Sequence, residues 1–437
     1  MYLGERMRGG KLTGEAVIFD GEEHILIIGP TRSGKSRRLL VPNLIRDNRS
    51  ALVVDVKGEL FNWTAAHRES RGHNIITLDP FGIAGRPSDG FNPLASLDPL
   101  STEFVDDATG FAEAMIQIPD KEPHWAESAR DVVAGLIMYE CCKNGPKASL
   151  KNVRRHITGS TGDLREIAID AVSSAEIMSG WHYAIANKLR CLVEITDENR
   201  ELLSIISTAK TQTQFLDSDL VSADLEKQSI DFSDMKRKPT TVYLILPPKR
   251  LHTHYKWLRL VIDAVIRDLQ KQLRQPGESE VLFYLDEFAQ LGTMRNIEIS
   301  MSLNAGYGIK VIAVVQHLGQ LKQHYAENWE TFSSGGLIAT FAPRDVLTSE
   351  HLSQLSGQEW IQVSGSSVTN EGGGSVSLNQ QLAPSIMPHE FRRMPKGMII
   401  AFIPTEDEGQ VMRRIMTRDA VDLPGMIPQR VRDLMAR

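Results

Sequence analysis

A phosphate-binding loop stands near the start of the chain. It has the spacing G-x-x-x-x-G-K-S, in which glycines let backbone N–H groups turn onto phosphate oxygens. Lys35 would bring its ammonium group to the β and γ phosphates, and the Ser36 hydroxyl would reach Mg²⁺. An apolar strand before the loop and a helix after it support binding of ATP with Mg²⁺. The residues predicted to contact the nucleotide are Gly29, Pro30, Thr31, Arg32, Ser33, Gly34, Lys35, Ser36 and Arg37.

A nucleotide hydrolase also needs carboxylates for the metal and the attacking water. The apolar strand VLFYL is followed by Asp286 and Glu287, so we expect Asp286 to hold Mg²⁺ and Glu287 to polarise the water. The strand ALVVD ends in Asp55. This acid either has an accessory role, near the nucleotide or at a subunit boundary, or is a plain turn residue. A third strand ends at Gln316, which we predict to sense the γ-phosphate. The predicted catalytic residues are Lys35, Asp286, Glu287 and Gln316.

The elements that would position these residues indicate an α/β fold interrupted by helices. More than half of the chain separates Lys35 from Asp286, more than a minimal P-loop core needs. Strand-like segments occur before about residue 99, and strand-like and helical segments alternate after about residue 233, which is typical of a mainly parallel sheet. Between these two positions, apolar residues recur at three- and four-residue spacing. We therefore predict a nucleotide-binding domain at 1–98 and 234–437, with an all-alpha domain at 99–233 and a Gly/Ser-rich hairpin at 364–381.

Composition sets limits on the function. The net charge of −6 does not indicate attraction of the whole chain to nucleic acid, although local basic clusters permit contacts. The three cysteines have neither disulfide nor zinc spacing. No signal-peptide core and no run of about 18–20 apolar residues occurs. We therefore expect a soluble, cytoplasmic chain.

Several segments resemble the TraG-type branch of the type IV coupling proteins, the ATPases of conjugation and type IV secretion. They include GPTRSGKS, VDVKGE, YLDEFAQLG and AGYGIKVIAVVQ, and they follow one another along nearly the whole chain. The resemblance implies a RecA-like P-loop nucleotide-binding domain with an inserted all-alpha domain on the substrate side. It also implies a homo-hexameric ring around a central channel. The implied partners are DNA or relaxosome-type nucleoprotein, protein effectors, and inner-membrane secretion-channel proteins.

The sequence departs from this family pattern in two places. Many relatives carry transmembrane helices ahead of the phosphate loop, and the segment before Gly29 has no room for them. We therefore expect the chain at the inner face of the bacterial inner membrane, held by partners or by missing N-terminal helices. Some relatives place an arginine just before the Gly-Tyr-Gly stretch, where Ala305 stands here. The arginine finger is thus unassigned, with Arg295 and Arg344 as candidates.

Three functions stay open on the sequence alone. The leading one is a motor that uses ATP hydrolysis to drive DNA or nucleoprotein toward a type IV secretion channel. The second is a receptor hub for protein effectors, with ATP used for assembly, which the acidic net charge favours slightly. The third is a general DNA pump of the FtsK/HerA kind. Such a pump shares the nucleotide-binding core, but this function does not account for the segments VDVKGE and AGYGIK.

Overall fold

A computed structural model describes most of the chain and divides it into two compact units. The first unit consists of Met1–Asp47 and Ile312–Arg437, and the second of Asn48–Val311. Among the described helices, none is both long and apolar enough to cross a membrane. The described residues are 1–119, 121–177, 183–196, 198–227, 230–334, 336–368, 374–405, 409–423 and 426–436.

Strands and helices alternate at both ends of the chain, and helices fill its middle. The described strands are β1 (Tyr2–Arg8), β2 (Lys11–Ile18), β3 (Ile25–Ile28), β4 (Ala51–Asp55), β5 (Asn74–Leu78), β6 (Thr240–Ile245), β7 (Val281–Leu285), β8 (Ile309–Val315), β9 (Leu337–Thr340), β10 (Gln358–Val368), β11 (Gly374–Pro384), β12 (Met398–Thr405) and β13 (Gly409–Met416). The described α-helices are α1 (Val41–Arg46), α2 (Glu59–Ser70), α3 (Phe104–Met115), α4 (His124–Asn144), α5 (Leu150–Thr158), α6 (Thr161–Ile177), α7 (Tyr183–Leu189), α8 (Arg200–Gln212), α9 (Asp219–Asp224), α10 (Pro248–Gln270), α11 (Arg295–Leu303), α12 (Leu318–Tyr325), α13 (Thr331–Ser334), α14 (Val346–Leu355), α15 (Pro388–Arg392) and α16 (Gln429–Ala436).

The second unit is built on a parallel sheet with the strand order β7-β4-β6-β5. Strands β4, β6 and β7 are buried along their whole length, which explains their continuous apolar sequences. Between Leu78 and Thr240, the described residues form helices and no strand. The contacts group these helices and the four strands into one unit, so a separable all-alpha domain at 99–233 stays a prediction.

The first unit has a mixed sheet with the strand order β2-β1-β13-β12-β9-β3-β8. The central strand β3 is parallel to β8 and β9. Strand β12 is antiparallel to β9, and β13, β1 and β2 extend the sheet in antiparallel order. The sequence predicted a mainly parallel sheet, so the antiparallel pairing of this part was not predicted. Strands β1 and β2 join through Gly9 and Gly10, both at positive φ, and the mostly exposed β2 lacks an apolar pattern.

A separate two-stranded hairpin, β10 with β11, also belongs to the first unit. Its strands pair in register from Gln358↔Pro384 to Val368↔Gly374. The predicted hairpin at 364–381 therefore coincides with paired strands where the chain is described, and residues 369–373 lie outside the described residues. Several apolar side chains of the hairpin, including Trp360, are exposed.

Candidate nucleotide-binding site

The predicted phosphate loop follows the buried strand β3 directly, in the first unit. The Gly29 N–H donates to the Val315 carbonyl at 3.0 Å, which holds the start of the loop beside β8. A Cβ atom on Gly29 would lie 2.8 Å from Ser33 Oγ and 3.1 Å from Phe341 Cβ. Gly34 has a φ of +100°, a conformation that side chains rarely adopt. Both glycines are thus required by the tight course of the backbone.

The loop's polar atoms fit a bound phosphate. Ser33 Oγ is buried and has no hydrogen-bond partner among the described residues. Lys35 is only 7% exposed, and its Nζ donates to the Gly29 carbonyl at 2.5 Å and to the Pro30 carbonyl at 3.4 Å. A charged phosphate oxygen accepts a stronger hydrogen bond from an ammonium than a carbonyl does. We therefore expect the Lys35 ammonium to leave the loop carbonyls and contact the phosphates when a nucleotide binds.

The helix after the loop begins as a π-turn over Ser36–Leu40 and continues as α1. The Val41 N–H donates to the Ser36 carbonyl, five residues back, and Pro42 follows near the start of α1. Proline has no N–H to donate to the carbonyl four residues before it, so the change from π to α geometry occurs where a regular hydrogen bond is missing in any case. Ser36 thus stands at the first helical position, as predicted for a metal-binding hydroxyl of this motif.

Arg37 contacts the C-terminal segment of the first unit. Its Nε lies 3.0 Å from Asp419 Oδ2, and its Nη1 donates to the Met435 carbonyl in α16 at 2.9 Å. The neighbouring Arg38 donates to the Thr417 carbonyl at 2.8 Å. Both guanidinium groups therefore tie the loop's helix to the last residues of the chain. A nucleotide-binding role for Arg37 stays a prediction.

The predicted γ-phosphate sensor contacts the phosphate loop. Gln316 follows β8, and its Oε1 accepts a hydrogen bond from Thr31 Oγ1 at 3.3 Å. Its backbone N–H donates to Gln320 Oε1 at 2.8 Å. A side-chain contact therefore connects the end of β8 to the phosphate loop. We expect a γ-phosphate bound in the loop to change this contact. The sensor role itself stays a prediction.

In the second unit, the predicted acids follow the buried strand β7. Glu287 has φ 53° and ψ 41°, a left-handed conformation that is uncommon outside glycine. Its backbone N–H donates to Asp286 Oδ1 at 3.1 Å. Backbone strain of this kind costs about 1–3 kcal/mol and clusters at functional sites. The turn therefore fixes the backbone positions from which the two half-buried carboxylate side chains extend.

Asp55 lies beside Asp286 at the same edge of the sheet. Strands β4 and β7 are parallel with Val54 opposite Leu285, so both acids occupy carboxyl ends, where ligands bind in such sheets. Asp55 is 2% exposed and accepts from the Phe61 N–H at 2.8 Å, at the start of α2. Burial raises its pKa to about 6. The carboxyl group therefore orders the turn into α2, and an additional role near a nucleotide stays a prediction.

Both candidate arginine fingers are accessible. Arg295 opens α11 in the second unit, and Arg344 follows β9 in the first; both side chains are exposed. Within the described part of the chain, neither forms an ion pair with a carboxylate. Each can therefore reach another molecule, and the choice between them stays a prediction.

Sequence reasoning missed Arg259, a buried arginine of α10. Its Nη1 donates to the carbonyls of Leu291, at 2.9 Å, and Thr293, at 2.6 Å, in the loop that follows the two acids. Its Nε donates to the Ala114 carbonyl at 3.0 Å, in the last turn of α3, where carbonyls lack intrahelical partners. One guanidinium thus joins the acidic loop to the helical part of the unit. The signal in the sequence is a charged residue within the apolar pattern of a helix.

A polar network extends this connection. The Tyr255 hydroxyl donates to Gln117 Oε1 at 2.7 Å, and Gln212 Nε2 donates to the Gln117 carbonyl at 3.1 Å. Lys256 donates to the Gln212 carbonyl at 2.7 Å, and burial, with a smaller contribution from Arg259, lowers the lysine pKa to about 7. A Cβ on Gly292 would lie 2.6 Å from Gln117 Nε2. The loop after the acids therefore packs directly against the helical part.

Comparison with known proteins identifies the family and confirms the predicted fold class. The family described as "Type IV secretory system Conjugative DNA transfer" matches residues 3–412. The bacterial conjugative coupling protein TrwB, solved without its first 70 residues, has a TM-score of 0.67 at 15% identity, with 95% of this chain and 88% of that chain covered. TrwB has also been solved with ADP and Mg²⁺. The fold is therefore α/β, RecA-like, with an additional helical part.

The relatives found by sequence include a conjugal transfer protein, TraG, and the protein VirD4. The conjugal transfer protein TraG of Escherichia coli is 27% identical over 402 residues, which are 86% of this chain and 62% of TraG. The protein VirD4 of Agrobacterium fabrum is 26% identical over 417 residues, which are 92% of this chain and 59% of VirD4. The chain thus spans about three fifths of the length of these relatives. It belongs to the type IV secretory system conjugative DNA transfer family.

Proposed function

We propose that the chain is an ATP-hydrolysing coupling protein, which recruits DNA or nucleoprotein and drives it toward a type IV secretion channel. The observation that supports this most is a phosphate loop with the buried Lys35 and an unpartnered Ser33 hydroxyl, in a chain of this family. The family membership favours this function over a general DNA pump. A receptor hub for protein effectors is the competing outcome in the tests below.

The residues divide the chemistry between them. Lys35 would contact the β and γ phosphates, while Ser36 and Asp286 would hold Mg²⁺, as supported by the Mg²⁺–ADP complex of the structural neighbour TrwB. The bound metal supplies charge neutralisation at the phosphates. Glu287 orients the attacking water and accepts its proton. Gln316, through its contact with Thr31, reports whether the γ-phosphate is present.

Assembly is part of the proposal. In rings of RecA-like subunits a neighbour completes each ATP site, so we infer a homo-hexamer in the active state with Arg295 or Arg344 as the arginine finger. Partners would be the DNA or relaxosome-type nucleoprotein and the inner-membrane channel proteins. The working place would be the inner face of the bacterial inner membrane.

Two substitutions test the chemistry. Lys35→Ala should abolish tight ATP binding because the phosphates lose their cation. Glu287→Gln should bind ATP but hydrolyse it about 10²–10⁴-fold more slowly, because proton acceptance is lost. Binding is measured with a fluorescent ATP analogue and hydrolysis by phosphate release. Lys11→Ala, at the exposed start of β2, is the control and should behave as wild type. Wild-type hydrolysis by Glu287→Gln would refute the assignment of the water-activating residue.

A further inference from the structure

A pocket of about 570 Å³ opens at one edge of the parallel sheet in the second unit. Its walls come from the segments that follow β4, β5 and β6 and from Leu220 of α9, so it lies beyond the carboxyl ends of three parallel strands. Its volume is within the roughly 300–1,000 Å³ of small-ligand sites. Ligands of open α/β sheets bind at such edges. The residues that line the pocket include none of the phosphate loop.

Three exposed cations surround the pocket: Lys57, Lys249 and Arg250. Among the described residues, no carboxylate pairs with any of them, and no acidic side chain lines the pocket. Other basic residues of the same unit do have partners, such as Arg154 with Asp217 at 2.7 Å. Unpaired cations around a cavity favour an anionic ligand, even in a chain whose net charge is −6.

The pocket also offers an aromatic surface. Phe81 is half-buried in its wall, and the Arg250 guanidinium lies over the Phe81 ring, 5.8 Å from its centroid. His254 packs against the same ring edge-on at 5.4 Å. Aromatic rings and guanidinium planes are the surfaces on which unpaired bases stack. Together with the cations, they match a nucleotide unit, which has a flat base and a phosphate.

We propose that this pocket binds a nucleotide of single-stranded DNA, with the base on Phe81 and adjacent phosphates on Lys57, Lys249 and Arg250. The inference rests on the proposed function, in which DNA is the cargo. Single-stranded DNA is favoured over a duplex, because paired and stacked bases cannot enter a pocket. It is favoured over an acidic peptide, because a peptide of carboxylates leaves the aromatic surface unused.

Fluorescence anisotropy with a labelled thymidine oligonucleotide tests the proposal. Lys249→Gln/Arg250→Gln removes two phosphate contacts, so the slope of log K against log salt should become shallower by about 1.4. Phe81→Leu keeps the apolar volume but not the ring, and should weaken binding about 5- to 150-fold with an unchanged slope. The matched control is Arg237→Gln/Lys238→Gln, which removes the same charges ahead of β6, at its opposite end, and should bind as wild type. Thermal unfolding establishes that each variant is folded.

The outcomes separate the pocket from the proposed function. If wild type binds the oligonucleotide and the pocket variants bind it equally well, the pocket inference is wrong and the DNA cargo stands. If wild type binds no DNA at all, both are wrong. Binding of AMP that the pocket variants weaken, with oligonucleotide binding unchanged in the same variants, would show that the pocket takes a free nucleotide instead of a strand. Loss of binding to a polyglutamate peptide in the pocket variants, with DNA binding intact, would assign the pocket to a protein partner.

Discussion

Replacing Arg259 with lysine should disconnect the loop after the two acids from the helical part of the second unit. The lysine keeps the positive charge, which matters because burial raises the pKa of Asp263 and the charge of Arg259 acts to lower it. It loses the planar fork, because a single ammonium cannot reproduce the guanidinium's bonds to Leu291, Thr293 and Ala114. The substitution therefore removes the planar arrangement of hydrogen-bond donors and keeps the positive charge.

The magnitude follows from the carbonyls that lose their donor. Each buried carbonyl left unsatisfied costs about 1–3 kcal/mol. The bonds to Ala114 and Leu291 are the buried ones, and lysine can serve one of these two carbonyls, so the free energy of unfolding should fall by about 1–3 kcal/mol. Because the two loop carbonyls follow Asp286 and Glu287 closely, ATP hydrolysis should also respond less to DNA. Nucleotide affinity should change little, because the phosphate loop is not altered.

The control is Arg267→Lys, about two turns further along α10. Arg267 donates to the carbonyl and the carboxylate of Asp107 in α3, each at 3.1 Å, and the ion pair is partly exposed. It contacts the same two helices but not the loop. Such a pair contributes about 0–1 kcal/mol, so stability should change little and stimulation by DNA should be retained.

Chemical denaturation and phosphate release, with and without single-stranded DNA, measure both effects. Arg259→Lys should show the larger loss of stability and a smaller ratio of DNA-stimulated to basal turnover. If it loses no more stability than Arg267→Lys and keeps the wild-type ratio, the buried fork does not connect hydrolysis to the helical part.

Further predictions concern pH, the loop, the sensor and the helices. The Asp55 pKa is raised to about 6, so the folded state holds a proton that the unfolded state releases near pH 4. The free energy of unfolding, relative to that of Asp55→Asn, should therefore fall by up to about 3 kcal/mol from about pH 4 to about pH 7. Equal pH dependence of the two proteins in chemical denaturation would contradict this. Gly34→Ala should weaken ATP binding at least tenfold by calorimetry, because of its φ of +100° and the Arg38 side chain beside it; Gly72→Ala, also at positive φ but in open space, is the control. Gln316→Ala should reduce turnover while leaving ATP affinity within about threefold. Excised residues 99–233 should show helical circular dichroism and cooperative unfolding, and a disordered fragment would refute a separable domain.

Local motifs explain what could be predicted from the sequence. The phosphate loop needs glycines at fixed positions, and buried parallel strands need continuous apolar residues that end at the ligand edge. Strands β4 and β7 and the acids after them were therefore identifiable, as was the end of β8 at Gln316. Their adjacency could be inferred only from the rule for parallel sheets, and the register of Val54 with Leu285 now supports it for Asp55 and Asp286.

Features that depend on distant partners could not be predicted. Arg259 has no motif, and its importance follows from three carbonyls that only the folded chain brings together. Arg37 follows the phosphate loop in sequence, yet the fold gives it Asp419 and Met435 as partners. Strand β2 lacks an apolar pattern because it is mostly exposed. The basic pocket combines segments that follow β4 and β5 with a segment that follows β6, which is far from both in the chain.

We propose that the chain hydrolyses ATP as a DNA-responsive assembly. The turnover number for ATP tests this directly when it is measured over a wide range of protein concentration without DNA, with single-stranded DNA and with duplex DNA. Because ATP sites in such rings are shared between subunits, the turnover number should rise with protein concentration, and single-stranded DNA should raise it further at low concentration. A turnover number that is constant from dilute to concentrated protein, and the same with and without DNA, would contradict the account.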